Sequence, residues 1–289
     1  MNSNPLVSVV IPTHNRKEKL FSLIKSIFRS NYPSDKLEII VVDDASSDGT
    51  CDMVKKFYPE VKVIRIDNEV FPAKARDIGA RRSRGDYIFF IDDDCIVHPD
   101  TIAYLIKTAM IKNKVGIIAP IILYKKEMHK IWCAGCVYEH NRLRDLIHLY
   151  KDSNLREVQE KHKILSITYS PSAFLIRKSI YLEVDGFNYK DFPIAWEEVD
   201  LALRVKQRGY QNICVTKAVV IHDVEPNFRA RNPTRAYYQG RSRTIFYRNY
   251  FKKKIVLMPA YVLGFFIENK SITMTLKYLC GVRDGITWK

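Results

Sequence analysis

Three acids, Asp92, Asp93 and Asp94, follow directly on the apolar run of "YIFFIDDDC". Adjacent carboxylates repel, so a buried strand that ends on three of them needs a counter-charge. Mg²⁺ and Mn²⁺ take hard oxygen ligands and bind a few carboxylates together with the phosphates of a ligand. The cluster therefore points to a divalent cation carrying a phosphorylated molecule. A plainer reading is a solvated acidic turn ahead of a helix, since acids favour helix N-termini. Asp43 and Asp44 end a second apolar run and lead into "ASSDGT". Asp, Ser and Gly also form turns, and Asp48 or Thr50 can cap the helix that follows. Glu197 and Glu198 stand together in "WEEVD". A carboxylate within reach of a hydroxyl can deprotonate it, although the helix macrodipole alone would favour acids there. Arg76, in "AKARDIGA", offers a guanidinium fork suited to phosphate, or else lies on an exposed helix face. His222 closes the apolar run "AVVIH".

Strands have to aim these groups. Near-continuous apolar runs at 6–12, 36–44, 61–67 and 87–94 suit strands of a parallel sheet covered on both faces. Between them, 17–30 places Leu20, Leu23, Ile24, Ile27 and Phe28 on one helical face. Residues 72–83 form a shorter helix with Pro72 in its first turn, and 100–113 a third after Pro99. The alternation predicts an open α/β sheet, which takes ligands at the carboxyl ends of its strands. "PTHNR" (12–16), "DDASSDGT" (43–50) and "DDDC" (92–95) would then share one rim. Further on, 115–123 reads as a strand and 166–187 as strand, short helix and glycine turn. Residues 196–210 read as a helix with Val199, Ala202, Leu203 and Val205 inward and Gly209 at its end. A last strand is expected over 218–223, and 124–165 shows no legible pattern.

Taken in order, "VSVVIPTHNR", "VVDDASSDGT", "ARDIGA", "GDYIFFIDDDC" and "WEEVDLALR" resemble the family 2 inverting glycosyltransferases, over roughly residues 6–225. The resemblance implies the GT-A fold, an α/β architecture with a Rossmann-like, mostly parallel central sheet flanked by helices. Its catalytic domain would span 1–225, with a nucleotide-binding half to about residue 120 and an acceptor half after it. The implied activity is metal-dependent inverting transfer from a nucleoside-diphosphate sugar, UDP or dTDP favoured, to a hydroxyl of a glycan or lipid-linked glycan. Mn²⁺ or Mg²⁺ is the implied cofactor. By the match, Asp94 is the metal ligand and His222 lies near the metal or pyrophosphate. Asp92 and Asp93 serve the ribose or support the metal, and Asp44 contacts the base. Pro12 and Thr13 border base and ribose, and Arg76 lies near the nucleotide. The family shows Glu-Asp where this chain has Glu197-Glu198, the second acid being the base. Glu198 takes that place with one methylene more, or Glu197 shares the work. A polyprenyl-phosphate glycosyltransferase is the alternative, since a phosphate acceptor needs less base catalysis. A related nucleotidyltransferase would need a glycine-rich first loop, which "PTHNRKE" lacks.

The 289 residues, 47% hydrophobic and 27% charged, describe a folded chain with a substantial core and exclude a disordered one. A net charge of +15 predicts an anionic partner. Residues 226–289 hold 13 Lys/Arg against 2 Asp/Glu. Within them, 234–254 reads as a helix, with Arg241, Ile245, Arg248 and Lys252 on one face and Tyr237, Thr244, Tyr247 and Phe251 on another. Together with 255–267 and 271–286, this basic, aromatic helical tail suits an anionic membrane surface or a helical appendage packed on the catalytic domain. A basic membrane- or nucleic-acid-binding module with an inactive transferase domain is the reading from another class. No recognised nucleic-acid module accompanies the basic residues, so no specific nucleic acid is expected. The run 255–267 is too short to span a bilayer, and no signal-peptide pattern opens the chain. A cytoplasmic protein, peripheral at the membrane face, is therefore expected. Of six cysteines, only Cys133 and Cys136 form a CxxC. With no second pair or neighbouring histidine, they are predicted to be ordinary reduced or buried thiols.

Overall fold

The computed structural model describes residues 4–139, 146–223 and 232–288. The four N-terminal apolar runs form strands β1 (Val7–Thr13), β2 (Leu37–Asp44), β3 (Lys62–Ile66) and β4 (Tyr87–Ile91). They pair in parallel in the order β4-β1-β2-β3. The connecting helices are α1 (Lys17–Ile27), α2 (Thr50–Phe57) and α3 (Phe71–Arg81). Side chains alternate across a strand, so β1 feeds both layers of core. Val7, Val9 and Ile11 pack with Leu20, Leu23 and Ile24 of α1, while Val10 packs on the other face with Ala75 and Ala80 of α3.

The second half completes the sheet and makes it mixed. Its elements are β5 (Cys95–Val97), α4 (Thr101–Ile111), β6 (Val115–Tyr124), β7 (Ile131–Cys133), β8 (Cys136–Tyr138) and β9 (Leu146–His148). There follow α5 (Leu155–Lys161), β10 (Ile164–Ser166), β11 (Ala173–Arg177), α6 (Lys178–Glu183), α7 (Glu197–Gln207) and β12 (Gln211–His222). The full order is β10-β12-β6-β11-β4-β1-β2-β3, with β5 on β12 and β7 on β6. β11 lies antiparallel between β4 and β6, so the parallel alternation breaks at the middle of the sheet. β12 starts at Gln211, well before the expected 218, and follows β6 in parallel through register shifts. The illegible segment holds β7, the small β8–β9 ribbon and α5. Such three-residue strands are too short to show a period of two.

The tail is helical, as α8 (Pro233–Tyr250), α9 (Met258–Asn269) and α10 (Ile272–Thr287), with a 3₁₀ turn at Lys252–Leu257. Asn232 caps α8 by accepting from the Arg235 backbone N–H, and Pro233 fills the first turn. The expected 234–254 helix ends at Tyr250, and its two faces are not divided as predicted. Arg241 and Ile245 are buried with Tyr247, because α8 packs into the same core as Val10, Phe90 and Phe174. Arg241 donates to the carbonyls of Lys190 and Asp191 and lies 3.7 Å from the centre of the Trp288 ring. Arg248 donates to the carbonyls of Gly285, Ile286 and Trp288 at the end of α10. There a cation satisfies orphan carbonyls and favours the helix dipole. The boundary expected at 225–226 lies outside the described residues. Among the described residues, no helix is long and apolar enough to cross a membrane.

Candidate active site

β4, β1 and β2 are neighbours, so their carboxyl ends bring the three polar clusters to one rim. A cavity of about 300 Å³ opens there. Pro12, Thr13, Asp44, Arg76, Asp92, Asp93, Glu197 and Glu198 all line it. Asp94 and His222 stand behind this lining as a pair, 3.1 Å between Asp94 Oδ1 and His222 Nε2. They meet because β5 lies antiparallel on β12, with Cys95 opposite His222.

The acids are held by partners far away in sequence. Thr13 Oγ1 donates to Asp93 Oδ2 at 2.8 Å, and Arg16 Nη1 reaches Asp93 Oδ1 at 3.0 Å and Asp94 Oδ2 at 2.8 Å. Burial pushes Asp93 up to about 6, with Arg16 opposing and Asp94 adding to the rise. Burial acts the same way on Asp94, but His222 and Arg16 outweigh it and hold that carboxyl at about 2. His222 Nδ1 is buried without a hydrogen-bond partner, and His222 Nε2 is what faces Asp94 Oδ1. An unsatisfied buried polar atom calls for an explanation, and a cation bound beside this pair is one. Asp94, Cys95 and His222 each bring one donor atom within 4.8 Å of the others, so the residues present can hold a divalent metal.

Asp44 accepts from the backbone N–H groups of Val70 (2.7 Å) and Phe71 (2.9 Å), which fastens the loop bordering the cavity. Burial raises its pKa against those bonds. Asp43 turns inward instead, accepting from Ser46 N–H and Cys51 Sγ beneath the loop. Asp48 receives the backbone N–H groups of both Lys17 and Thr50, joining the starts of α1 and α2.

Arg76 is buried, and its fork points at carboxylates. It donates to Asp92, to Glu197 Oε1 at 3.0 Å, and stands 3.7 Å from Glu198 Oε1. It thus ties the end of β4 to the start of α7. Glu198 Oε1 also accepts from Ser172 N–H at 3.2 Å. Burial and then Glu197 push Glu198 up to about 8, against Arg76. Its side chain is 17% exposed, so it remains reachable from solvent.

The backbone around the cavity is unusual. Asn15, Ala45, Phe71, Ser172, Ala195 and Trp196 all have φ between 52° and 72°, in the left-handed region that non-glycine residues avoid. Such conformations cost roughly 1–3 kcal/mol each and gather where function requires them. Ala195 and Trp196 turn the chain into α7 and so aim Glu197 and Glu198.

Several lining residues carried no assignment from sequence. His14 lines the cavity, as do Arg16, Ser172, Asn232 and Arg235. Arg16 stood inside the quoted "PTHNR", so its strand-end position was a usable signal. Nothing local marks Asn232 and Arg235, which α8 brings back from the tail. A second cavity, about 630 Å³, adjoins the first. Both are lined by Pro171, Ala195, Glu198 and Arg235, and the second continues between α7, α8, α9 and the β9 ribbon.

Residues 8–184 match the family model described as Glycosyl transferase family 2. The chain belongs to glycosyl transferase family 2. That match runs from β1 to α6, so α7 with Glu197 and Glu198, and β12 with His222, lie beyond it. The probable glycosyltransferase YdaM of Bacillus subtilis (strain 168) is 34% identical to this family 2 chain over 238 residues, 78% of this chain and 52% of YdaM. The chain spans about half the length of that relative. Among solved structures, GalNAc-T7 with UDP, GalNAc and Mn²⁺ superposes with a TM-score of 0.68 at 16% identity, covering 100% of this chain and 58% of that one. The mannosyltransferase PcManGT from Pyrobaculum calidifontis, in complex with GDP-Man and Mn²⁺, gives 0.62 at 16% identity, covering 99% and 88%. The fold of this family 2 chain is GT-A.

Proposed function

We propose that this chain transfers a sugar, with inversion, from a nucleoside-diphosphate donor to an acceptor hydroxyl, with Glu198 as the general base. The observation that carries the reading is the place of Glu198, on the wall shared by two cavities. The acid-lined cavity takes the donor. The larger one takes the acceptor, whose hydroxyl then meets the carboxylate from the far side of the sugar. Arg76 positions Glu198 and Glu197 through its ion pairs, and Thr13 fixes Asp93. Pro12, Thr13, Asp44, Asp92 and Asp93 border the nucleotide. Asp94 and His222 hold Mn²⁺ or Mg²⁺, which when bound neutralises charge on the leaving diphosphate. Arg235, from α8, lies where both cavities meet and adds positive charge there. One structural neighbour holds UDP and the other GDP-Man, so the base is set by experiment, with UDP and dTDP favoured by the Asp44 reading.

A lipid-linked acceptor has its own support. Ile267 lines the larger cavity and is 61% exposed, so that wall continues onto the apolar outer side of α9. A phosphate acceptor on such a lipid would leave Glu198 with little to do, and a hydroxyl acceptor would not.

The test is thermal unfolding with UDP, dTDP, GDP or ADP, each with Mn²⁺, Mg²⁺ or EDTA. A nucleotide at a hundredfold over Kd adds about 2.7 kcal/mol to the native state. One nucleotide is expected to stabilise the chain only with metal, and Asp94→Ala to abolish the shift. No shift with any nucleotide, alongside a shift with anionic vesicles or RNA, overturns the reading in favour of a binding module.

A further inference from the structure

The CxxC dismissed at the level of sequence acquires a histidine in three dimensions. Cys133 ends β7, Cys136 starts β8, and β9 pairs with β8 so that His148 stands directly opposite Cys136. Cys133 Sγ and Cys136 Sγ are 3.5 Å apart. One ligand atom from each of the three residues lies within 4.8 Å of the other two. We propose that Cys133, Cys136 and His148 form a second metal site, for a single Zn²⁺, separate from the acidic rim.

The surroundings are those of a built site. Both cysteines are fully buried, and the turn between them is tightly specified. Gly135 has φ +82°, and a Cβ there would come within 2.3 Å of Ile167 Cγ2. Only glycine permits that turn, and the turn sets the two sulfurs side by side. His148 Nδ1 is 3.3 Å from the Trp132 carbonyl. Donation to that carbonyl leaves the lone pair on Nε2, the arrangement that orients metal-ligating histidines. Two thiolates and an imidazole are soft-to-borderline ligands that select Zn²⁺ over the hard cations expected at Asp94. His148 and Tyr169 line the larger cavity, which gives a metal its way in, and a water can complete the coordination from that side.

The site would fasten the otherwise weak β7–β9 segment, whose strands have three residues each. It would also set Trp132. That indole stands edge-on between His148 and His222, 4.9 Å from each ring centre. Zn²⁺ would therefore hold one wall of the acceptor cavity and back the histidine behind the acidic rim.

Co²⁺ is the probe, added to the reduced full chain. One equivalent is expected to produce a thiolate-to-cobalt charge-transfer absorption that Zn²⁺ displaces. The band should persist in Asp94→Ala and vanish in the Cys133→Ser/Cys136→Ser double variant. Its absence from reduced, folded wild type overturns the proposal, as does its survival in the double variant, which would point to Cys280 or the rim. Should the double variant not fold, thiol counting on wild type decides. Zn²⁺ is expected to protect two thiols from a thiol reagent, with chelator restoring them, and no protection overturns the site. A Cys133–Cys136 disulfide in unreduced protein that binds no Co²⁺ after reduction identifies a redox pair instead.

Discussion

Glu198 is where one residue's environment has the clearest chemical consequence. Desolvation, then the neighbouring Glu197, pushes its carboxyl to about 8, while Arg76 pulls the other way. A base acts only when deprotonated, so kcat/KM should rise with pH through about 8 and level off above it. Glu198→Gln should erase that limb and cost roughly 10²–10⁴ in kcat, the usual worth of a positioned base. A pH–rate profile of both proteins checks this, and an unchanged profile in the variant would remove Glu198 from the role. The same shift carries a stability signature. The folded state keeps a proton that the unfolded chain releases near its ordinary carboxyl pKa of about 4.3. This group's contribution is therefore complete below that value and is lost as pH rises through about 8. Glu198→Gln should flatten that loss in urea midpoints measured across the window.

At the scale of elements, the α8–α10 crossing does more than bury the tail. A Cβ on Gly281 would lie 1.9 Å from the Tyr237 carbonyl oxygen, and one on Gly240 2.1 Å from that of Tyr278. The two backbones touch, so no side chain can be placed between them. α8 also delivers Asn232 and Arg235 to the smaller, acid-lined cavity and Gln239 and Arg243 to the larger one. Gly281→Val is expected to destabilise the fold by about 1–3 kcal/mol or more, the usual cost of overpacking. Its urea midpoint should fall, and KM for the acceptor should rise through displacement of α8. A variant with an unchanged midpoint would mean that the helices part without cost.

Across the whole molecule, the +15 net charge does not translate directly into a basic surface. Arg241 is tied to the carbonyls of Lys190 and Asp191 ahead of α7, and Arg248 to carbonyls at the end of α10. What faces outward from α9, α10 and the turn between them is largely apolar, with Glu268, Lys270, Lys277 and Arg283 interspersed. Leu263, Ile267, Ile272 and Leu276 are exposed, with Lys270 and Lys277 among them. Apolar insertion beside basic residues is what peripheral binding to an anionic bilayer requires. The chain is expected to co-sediment with vesicles containing phosphatidylserine, less so as salt is raised. Leu263→Glu/Ile267→Glu should release it without altering nucleotide binding. Failure of wild type to sediment at low salt would leave the outer face of these helices without a lipid role.

The amino-acid sequence was enough to mark β1 to β4, α1, α3 and α4, and the rim on which Thr13, Asp44 and Asp92 stand, but not the three-residue β5. Both are local matters, since apolar period and strand ends are written in consecutive residues. It also marked the acids at 197–198, because a helix start is a local signal. Which charges meet was settled by the folded structure. Arg16 bridges Asp93 and Asp94 across 77 and 78 positions, and Arg76 reaches Glu197 across 121. It alone inserted β11 antiparallel, drew the tail into the core and brought His148 to the CxxC. Short strands have no period to read, and a partner supplied by a distant fold-back leaves no trace beside the residue it meets. Local pattern therefore told which groups could act, and packing told what each of them touches.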